Sequence, residues 1–243
     1  MGARDRMATL TVSVLLVSYN QGPLLDRAVR SVLGQTYQDW ELGVLDDGST
    51  DETTLALLDE YSDWDAEPAI PFHLFRFHPS LEERAATVRY ATLLNWGAVR
   101  AEGKYLTFLS GDDYYLPDRL ERMVAKIQQA GSVVYGPQLM LDESGQSLGI
   151  RRAAGVLRDA RCKVDLNSVL MTRKAFEHVG GFPDRPATPL LWRQADTGLW
   201  GRLTDAGYWF VPVDGPEPTD CKTFRIQGVD ARVLRGETPW VAV

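Results

Sequence analysis

Along the chain, short unbroken apolar runs alternate with longer stretches in which apolar residues recur every three or four positions. Val12 to Ser18 (VSVLLVS) is an apolar, β-branched run that predicts a buried parallel strand. Asn20, Gln21, Gly22 and Pro23 interrupt it, and Leu24, Leu25, Ala28, Val29, Val32 and Leu33 then follow at helical spacing up to Gly34. Trp40 to Leu45 predicts a second strand running into Asp46-Asp47-Gly48-Ser49-Thr50, where Ser49 and Thr50 are placed to cap a helix carrying Leu55, Leu58 and Tyr61. A strand near Phe72–Phe77, a helix from about Leu81 to Val99, a strand from Lys104 to Leu109 and a helix opened by Pro117 complete four βα units. That succession predicts an α/β domain with a mainly parallel, Rossmann-like sheet covered by helices on both faces.

The rhythm changes after about residue 131. Val133 to Leu141 and Ser147 to Ile150 read as strands around an Asp142–Gly145 turn, and Asp165 to Thr172 as another strand before a short helix ending at Gly180-Gly181. A helix over Ala195 to Ala206 and a strand over Tyr208 to Val213 follow. The expected organisation is one domain: a nucleotide-binding half over 10–113, a smaller mixed acceptor-side half over 114–214, and a tail over 215–243.

Composition narrows the function classes. The 243 residues carry 26 Lys+Arg against 33 Asp+Glu, a net charge of −7, which argues against a nucleic-acid partner. No run approaches the roughly 18–20 apolar residues needed to span a bilayer. The opening MGARDRMATL lacks the apolar centre of a secretory signal, and two cysteines, Cys162 and Cys221, cannot build a disulfide framework. The expectation is a cytoplasmic enzyme or a soluble binding protein.

In open α/β sheets, ligands bind beyond the carboxyl ends of the strands. Three such ends carry polar clusters: Ser18-Tyr19-Asn20, Asp46-Asp47-Gly48-Ser49 and Asp112-Asp113. A strand-end Asp followed by Gly and Ser is as well explained by a turn and a helix cap. The adjacent carboxylates after YLTFL are harder to explain so, because they repel unless a cation or donors lie near. A hard divalent ion and a solvated turn both satisfy that condition.

These residues carry a resemblance. LLVSYNQGPLLDRAVRSVLGQTYQDWELGVLDDGSTDET resembles the opening of the family two inverting glycosyltransferases with the GT-A fold, and FLSGDDYYLPDRLERMV resembles their Asp-rich metal motif with its Pro-initiated helix. RAATVRYATLLNWGAVRAEGKYLTFLSGDD and CKVDLNSVLMTRKAFEHVGGF extend the likeness over roughly residues 10–212, nearest to the spore-coat polysaccharide branch in bacilli. The resemblance implies that Tyr19 stacks on the nucleotide base, Val17 lines that pocket, Asp47 accepts a hydrogen bond from the base and Arg84 completes the site. It implies further that Asp112 lies against the ribose and metal region, that Asp113 ligates Mn²⁺ or Mg²⁺, and that Asp196 is the catalytic base. Arg89 is a further candidate phosphate contact, and Trp192 and Trp200, which bracket Asp196, are candidates for the acceptor side.

The implied activity is transfer of one sugar from a UDP- or TDP-linked donor to a carbohydrate or other hydroxyl acceptor, with inversion. The Gln-x-x-Arg-Trp signature of processive synthases is absent, so a non-processive enzyme is expected. The late histidine that many GT-A enzymes give to the metal is absent too, since the histidines are His73, His78 and His178. Lys222 and Arg225 in the tail are candidates to close over the nucleotide. Two other readings stand beside this one. A nucleotidyltransferase would show a Gly-rich basic loop after the first strand, which VSYNQGPL does not resemble, and an inactive nucleotide-sugar-binding protein of the same fold would keep donor affinity without transfer.

Overall fold

The computed structural model describes residues 11–67, 71–185 and 195–223. Strand β1 (Val12–Ser18) lies inside a seven-stranded sheet between β2 (Trp40–Asp46) and β4 (Tyr105–Ser110), both parallel to it. Beyond β2 lies β3 (Phe72–Arg76), and beyond β4 lie β9 (Val169–Thr172), β6 (Val133–Tyr135) and β10 (Phe210–Pro212), giving the order β10-β6-β9-β4-β1-β2-β3. Only β9 runs antiparallel to its neighbours in this sheet.

The unbroken apolar run of β1 has a simple cause. Side chains alternate across a strand, so Val14 and Leu16 enter one core while Leu15 enters the other. On the first side, α1 (Pro23–Leu33), α2 (Glu52–Asp65) and α5 (Arg119–Ala130) bury Leu25, Val29, Leu58, Leu120 and Met123. On the second, α4 (Arg89–Arg100), α6 (Arg173–His178) and α7 (Ala195–Asp205) bury Leu93, Leu94, Phe176, Leu199 and Trp200. Each such large apolar side chain contributes about 1.5–3 kcal/mol by leaving water. Among the described residues no helix is long and apolar enough to cross a membrane.

Three expected elements divide, each for a local reason. The helix expected over 81–99 is two: α3 (Leu81–Ala86), closed at its start by a Ser80–Glu83 capping box, and α4. Between them Thr87 is extended, with φ −133° and ψ 152°, and the Val88 N–H leaves the helical ladder for the Asp184 carbonyl. The strand expected over 133–141 divides at Gly136-Pro137 into β6, in the main sheet, and β7 (Gln138–Leu141), in a second one. A Cβ on Gly136 would lie 2.1 Å from Thr219 Oγ1, so only glycine lets the chain cross there. The segment from Asp165 opens with a 3-10 turn, Leu166–Ser168, before β9 begins. The cap of α2 also differs: Asp51 Oδ1 accepts the Thr54 N–H at 2.9 Å, whereas Ser49 and Thr50 bond to the loops beside them.

The second sheet has the order β5-β11-β7-β8, with β5 (Tyr114–Tyr115), β11 (Asp220–Thr223) and β8 (Ser147–Arg151). Residues expected to belong to a tail thus supply β11, paired antiparallel with β5 and parallel with β7. This strand brings a distant part of the chain to the end of β4.

Candidate active site

After β1 the chain moves to β2 on one side and later returns to β4 on the other. The carboxyl ends of β1 and β4 therefore border a crevice at a topological switch point. Backbone bonds draw the three strand-end loops together: Asp47 N–H donates to the Ser18 carbonyl and Gly111 N–H to the Val17 carbonyl, each at 2.9 Å. Asn20, held at φ 52°, donates its N–H to Ser49 Oγ and accepts the Thr50 N–H on Oδ1 at 2.7 Å. Gly48 turns at φ +77° where a Cβ would stand 2.9 Å from the Phe77 carbonyl, which explains a glycine after the paired aspartates.

One end of the crevice gathers the residues expected to hold a nucleotide. Tyr19 is 45% exposed, with the Arg84 guanidinium 4.6 Å from its ring centre. Asp47 is buried and gripped by two arginines: Arg84 Nη1 donates to Oδ2 at 2.9 Å, and Arg89 Nε and Nη2 donate to Oδ1 at 2.9 and 2.7 Å. Arg84 Nη2 also donates to the Asp47 carbonyl. Val17 is half-buried at the end of β1. Arg89, a candidate phosphate contact from the sequence, thus serves Asp47, and it can do so because α4 begins at that residue.

At the other end lie Asp112, Asp113, Asp165, Asn167, Asp196 and Lys222. Asp113 is wholly buried: its Oδ1 accepts the Thr223 N–H at 2.7 Å, and its Oδ2 accepts from Asn167 Nδ2 and from Lys222 Nζ at 3.2 Å. Lys222 Nζ also lies 3.6 Å from Asp165 Oδ2. Burial pushes the Asp113 carboxyl upward against the pull of Lys222, with Asp112 and Asp165 adding to the push. Asp165 works against the same burial but is held below the usual carboxylate range by Lys222 and Arg151.

Asp113, the expected ligand of a divalent ion, is held here by donors on both oxygens. Its two oxygens accept from three donors between them, one on Oδ1 and two on Oδ2, and one of these is the Lys222 ammonium. Asp112, beside it, is a second candidate. It is half-buried at the mouth, its backbone carbonyl is fixed by Arg27 Nη2 at 2.9 Å, and one or two carboxylates with phosphate oxygens suffice for Mg²⁺.

Asp196, the second residue of α7, has its backbone N–H on Tyr90 Oη at 3.2 Å and its Oδ1 accepting the Thr197 N–H at 2.8 Å. Burial, then the nearby charge of Asp165, raises its carboxyl to about 6. A carboxylate tuned this way is ionised at neutral pH and more basic than an exposed aspartate. Trp200 needs correction as an acceptor contact. It is fully buried, its Nε1 donates to the Val164 carbonyl at 3.0 Å, and its ring meets Phe210 edge-on at 5.4 Å. On α7, positions four apart share a face, but here the face of Trp200 is the core. Trp192 and Arg225 lie outside the described residues.

Asp165 and Asn167 were not singled out from the sequence. Their signal, VDLNS, reads as the start of a strand, and only the 3-10 turn reveals that it turns Asn167 to Asp113 and Asp165 to Lys222.

Residues 13–155 match the glycosyl transferase family 2 domain. The chain is 34% identical over 222 residues to Protein CgeD of Bacillus subtilis, covering 87% of this chain and 50% of that protein. It is 28% identical over 207 residues to the uncharacterized glycosyltransferase RC0461 of Rickettsia conorii, covering 79% of this chain and 31% of that one. The chain therefore spans half or less of the length of these relatives. Among solved structures, S. aureus TarS 1-349 in complex with UDP-GlcNAc superposes with a TM-score of 0.69 at 16% identity, over 91% of this chain and 60% of that one. The mannosyltransferase PcManGT of Pyrobaculum calidifontis, solved with GDP-Man and Mn²⁺, gives 0.60 at 19% identity, over 93% and 60%. The sheet order, the strand-end aspartates and the domain match agree: the chain belongs to glycosyl transferase family 2 and has the GT-A fold.

Proposed function

We propose that this chain transfers one sugar from a nucleoside diphosphate sugar to a hydroxyl acceptor by a single, inverting displacement. The observation that carries the reading is Asp196, a half-buried carboxylate at the start of α7 that desolvation raises to about 6 and that lies within electrostatic reach of Asp165 and Lys222. Solved GT-A neighbours bound to UDP-GlcNAc and to GDP-Man support a nucleotide-sugar donor.

In this reading the base stacks on Tyr19 against Val17. Asp47, oriented by Arg84 and Arg89, accepts an N–H of the base. Asp112 faces the ribose and the diphosphate and, with Asp113, is a residue that would hold a divalent ion there, whose contribution is to neutralise charge on the departing group. Asp196 accepts the proton of the acceptor hydroxyl as its oxygen attacks the anomeric carbon. The bond from that carbon to the phosphate oxygen breaks, its electron pair leaves with the nucleoside diphosphate, and the configuration inverts. One base suffices, unlike the paired carboxylates of glycoside hydrolysis.

The test is a donor panel of UDP-, TDP- and GDP-sugars with Mn²⁺ or Mg²⁺, read by calorimetry for binding and by product mass for transfer. Binding of a nucleotide sugar with release of the nucleoside diphosphate is expected. Failure of every donor to bind overturns the reading, and binding without turnover on any acceptor points to a binding protein of the same fold.

A further inference from the structure

We propose that the Lys222 ammonium is a phosphate-binding cation of the donor site, carried to it by β11 and aimed by Asp113 and Asp165; this rests on the glycosyltransferase reading above. The register of β11 fixes the residue: Asp220 pairs with Gln138 and Cys221 with Leu139, so Lys222 lies opposite Met140. Cys221 is fully buried, and alternation along the strand turns Lys222 to the opposite face, where its side chain is 19% exposed. That is the geometry of a long apolar stem running through protein to a charged head at a cleft.

The head stands 3.2 Å from Asp113 Oδ2 and 3.6 Å from Asp165 Oδ2. Two carboxylates on separate loops thereby fix one ammonium at Asp113, the residue after Asp112 beyond the end of β4. Asp196 also senses the Lys222 charge, which puts the ammonium within electrostatic reach of the proposed base. Four aspartates converge here, and a diphosphate entering such a field is repelled unless positive charge meets it. An ammonium has three donors on a flexible stem, so one group can serve carboxylates and a phosphate oxygen together. A charge written into the sequence is present whether or not a metal ion is bound.

The experiment compares the whole chain with its Lys222→Met and Lys222→Arg variants. Each is titrated with UDP, TDP and GDP, and with uridine, thymidine and guanosine, first in EDTA and then in Mn²⁺. In EDTA the wild type is expected to bind one diphosphate about tenfold or more tightly than its nucleoside, the size of a charge-assisted contact. Lys222→Met closes that gap with nucleoside affinity unchanged, at a lower melting temperature because buried Asp113 loses its cation, and Lys222→Arg keeps part of both. Persistence of the gap in Lys222→Met, or its absence from the wild type in EDTA, overturns the proposal while leaving the donor site intact if Mn²⁺ supports binding. A wild type that binds no nucleotide in either condition removes the donor site and this proposal with it.

Discussion

Arg89 grips Asp47 from the first residue of α4, with Nε and Nη2 both donating to Oδ1 at 2.9 and 2.7 Å. The grip exists because Thr87 and Val88 break the helix that would otherwise carry Arg89 past the crevice. Removing it leaves a buried carboxylate with Arg84 as its remaining ion-pair partner in the described structure. Arg89→Ala is therefore expected to weaken nucleotide binding about ten- to a hundredfold, in line with about 1.5–3 kcal/mol for hydrogen bonds to charged groups. Arg89→Lys should recover only part, because an ammonium cannot reproduce the planar donor pair. Calorimetry with the preferred nucleotide decides it, and an unchanged affinity in Arg89→Ala would remove Asp47's orientation from the account of the base site.

Asp196→Asn keeps the shape of the side chain and an oxygen for the Thr197 N–H, but loses the proton acceptor. Donor affinity should stay within a few-fold of wild type while transfer falls by about 10²–10⁴, the usual contribution of a positioned general base. Single-turnover transfer beside nucleotide titration separates the two effects. Normal turnover would take Asp196 out of the mechanism.

The same residue sets a pH dependence. Its carboxyl titrates near 6 in the folded chain against an ordinary value of 3.8, raised chiefly by burial. The base form thus appears as pH rises through about 6, and the transfer rate should climb over that window and flatten above it. Stability runs the other way for this group. The folded state holds the proton more tightly than the unfolded one, so its contribution is present below 3.8 and is lost as pH rises through about 6. Asp196→Asn should accordingly melt at or above the wild-type temperature at pH 7, which keeps its loss of transfer from being mistaken for unfolding.

Much of the fold could be read along the chain because the buried strands of the main sheet are written as apolar runs and its helices as periodic ones. β1, whose ends coincide with those of VSVLLVS, is the plainest case. What periodicity cannot show is where a continuous pattern is cut by one hydrogen bond or one missing N–H. The break at Thr87 and the sheet switch at Gly136-Pro137 are both of that kind. The site divides similarly. Tyr19, Asp47 and Arg84 sit in segments whose wording carries the chemistry, whereas Asn167 and Lys222 reach Asp113 through pairings 54 and 109 positions apart in sequence, and Asp165 joins them through Lys222. Trp200 misled because the face it shares with Asp196, four positions away, is half-buried at Asp196 and fully buried at Trp200.

That burial makes its own prediction. Trp200 fills core space against Phe210, with its indole N–H satisfied by the Val164 carbonyl. Trp200→Ala is expected to cost about 3–5 kcal/mol through lost transfer energy and the cavity left behind. Trp200→Phe, which keeps most of the volume, should leave the acceptor KM unchanged at a smaller cost in stability. An acceptor KM raised severalfold in Trp200→Phe, with stability intact, would return the residue to the acceptor site.

Arg119 offers the sharpest test of how the fold supports the site. It is fully buried, its guanidinium lies 3.8 Å over the Tyr115 ring, and its Nε stands 4.0 Å from Asp220 Oδ1. Through Nη2 it donates to Thr107 Oγ1 and to the carbonyls of Asn167 and Val169 at 3.0, 2.6 and 3.3 Å. One side chain therefore pins the turn that carries Asn167 to β4, and faces the first residue of the strand that carries Lys222. Arg119→Met should destabilise the chain by about 3–5 kcal/mol in denaturant unfolding, because Asp220 is left buried without its cation. Asp220→Asn on top of Arg119→Met removes the stranded charge, so the double variant should be more stable than Arg119→Met alone. If the two losses simply add, the pair is not coupled, and the carbonyl bonds to Asn167 and Val169 are what Arg119 contributes.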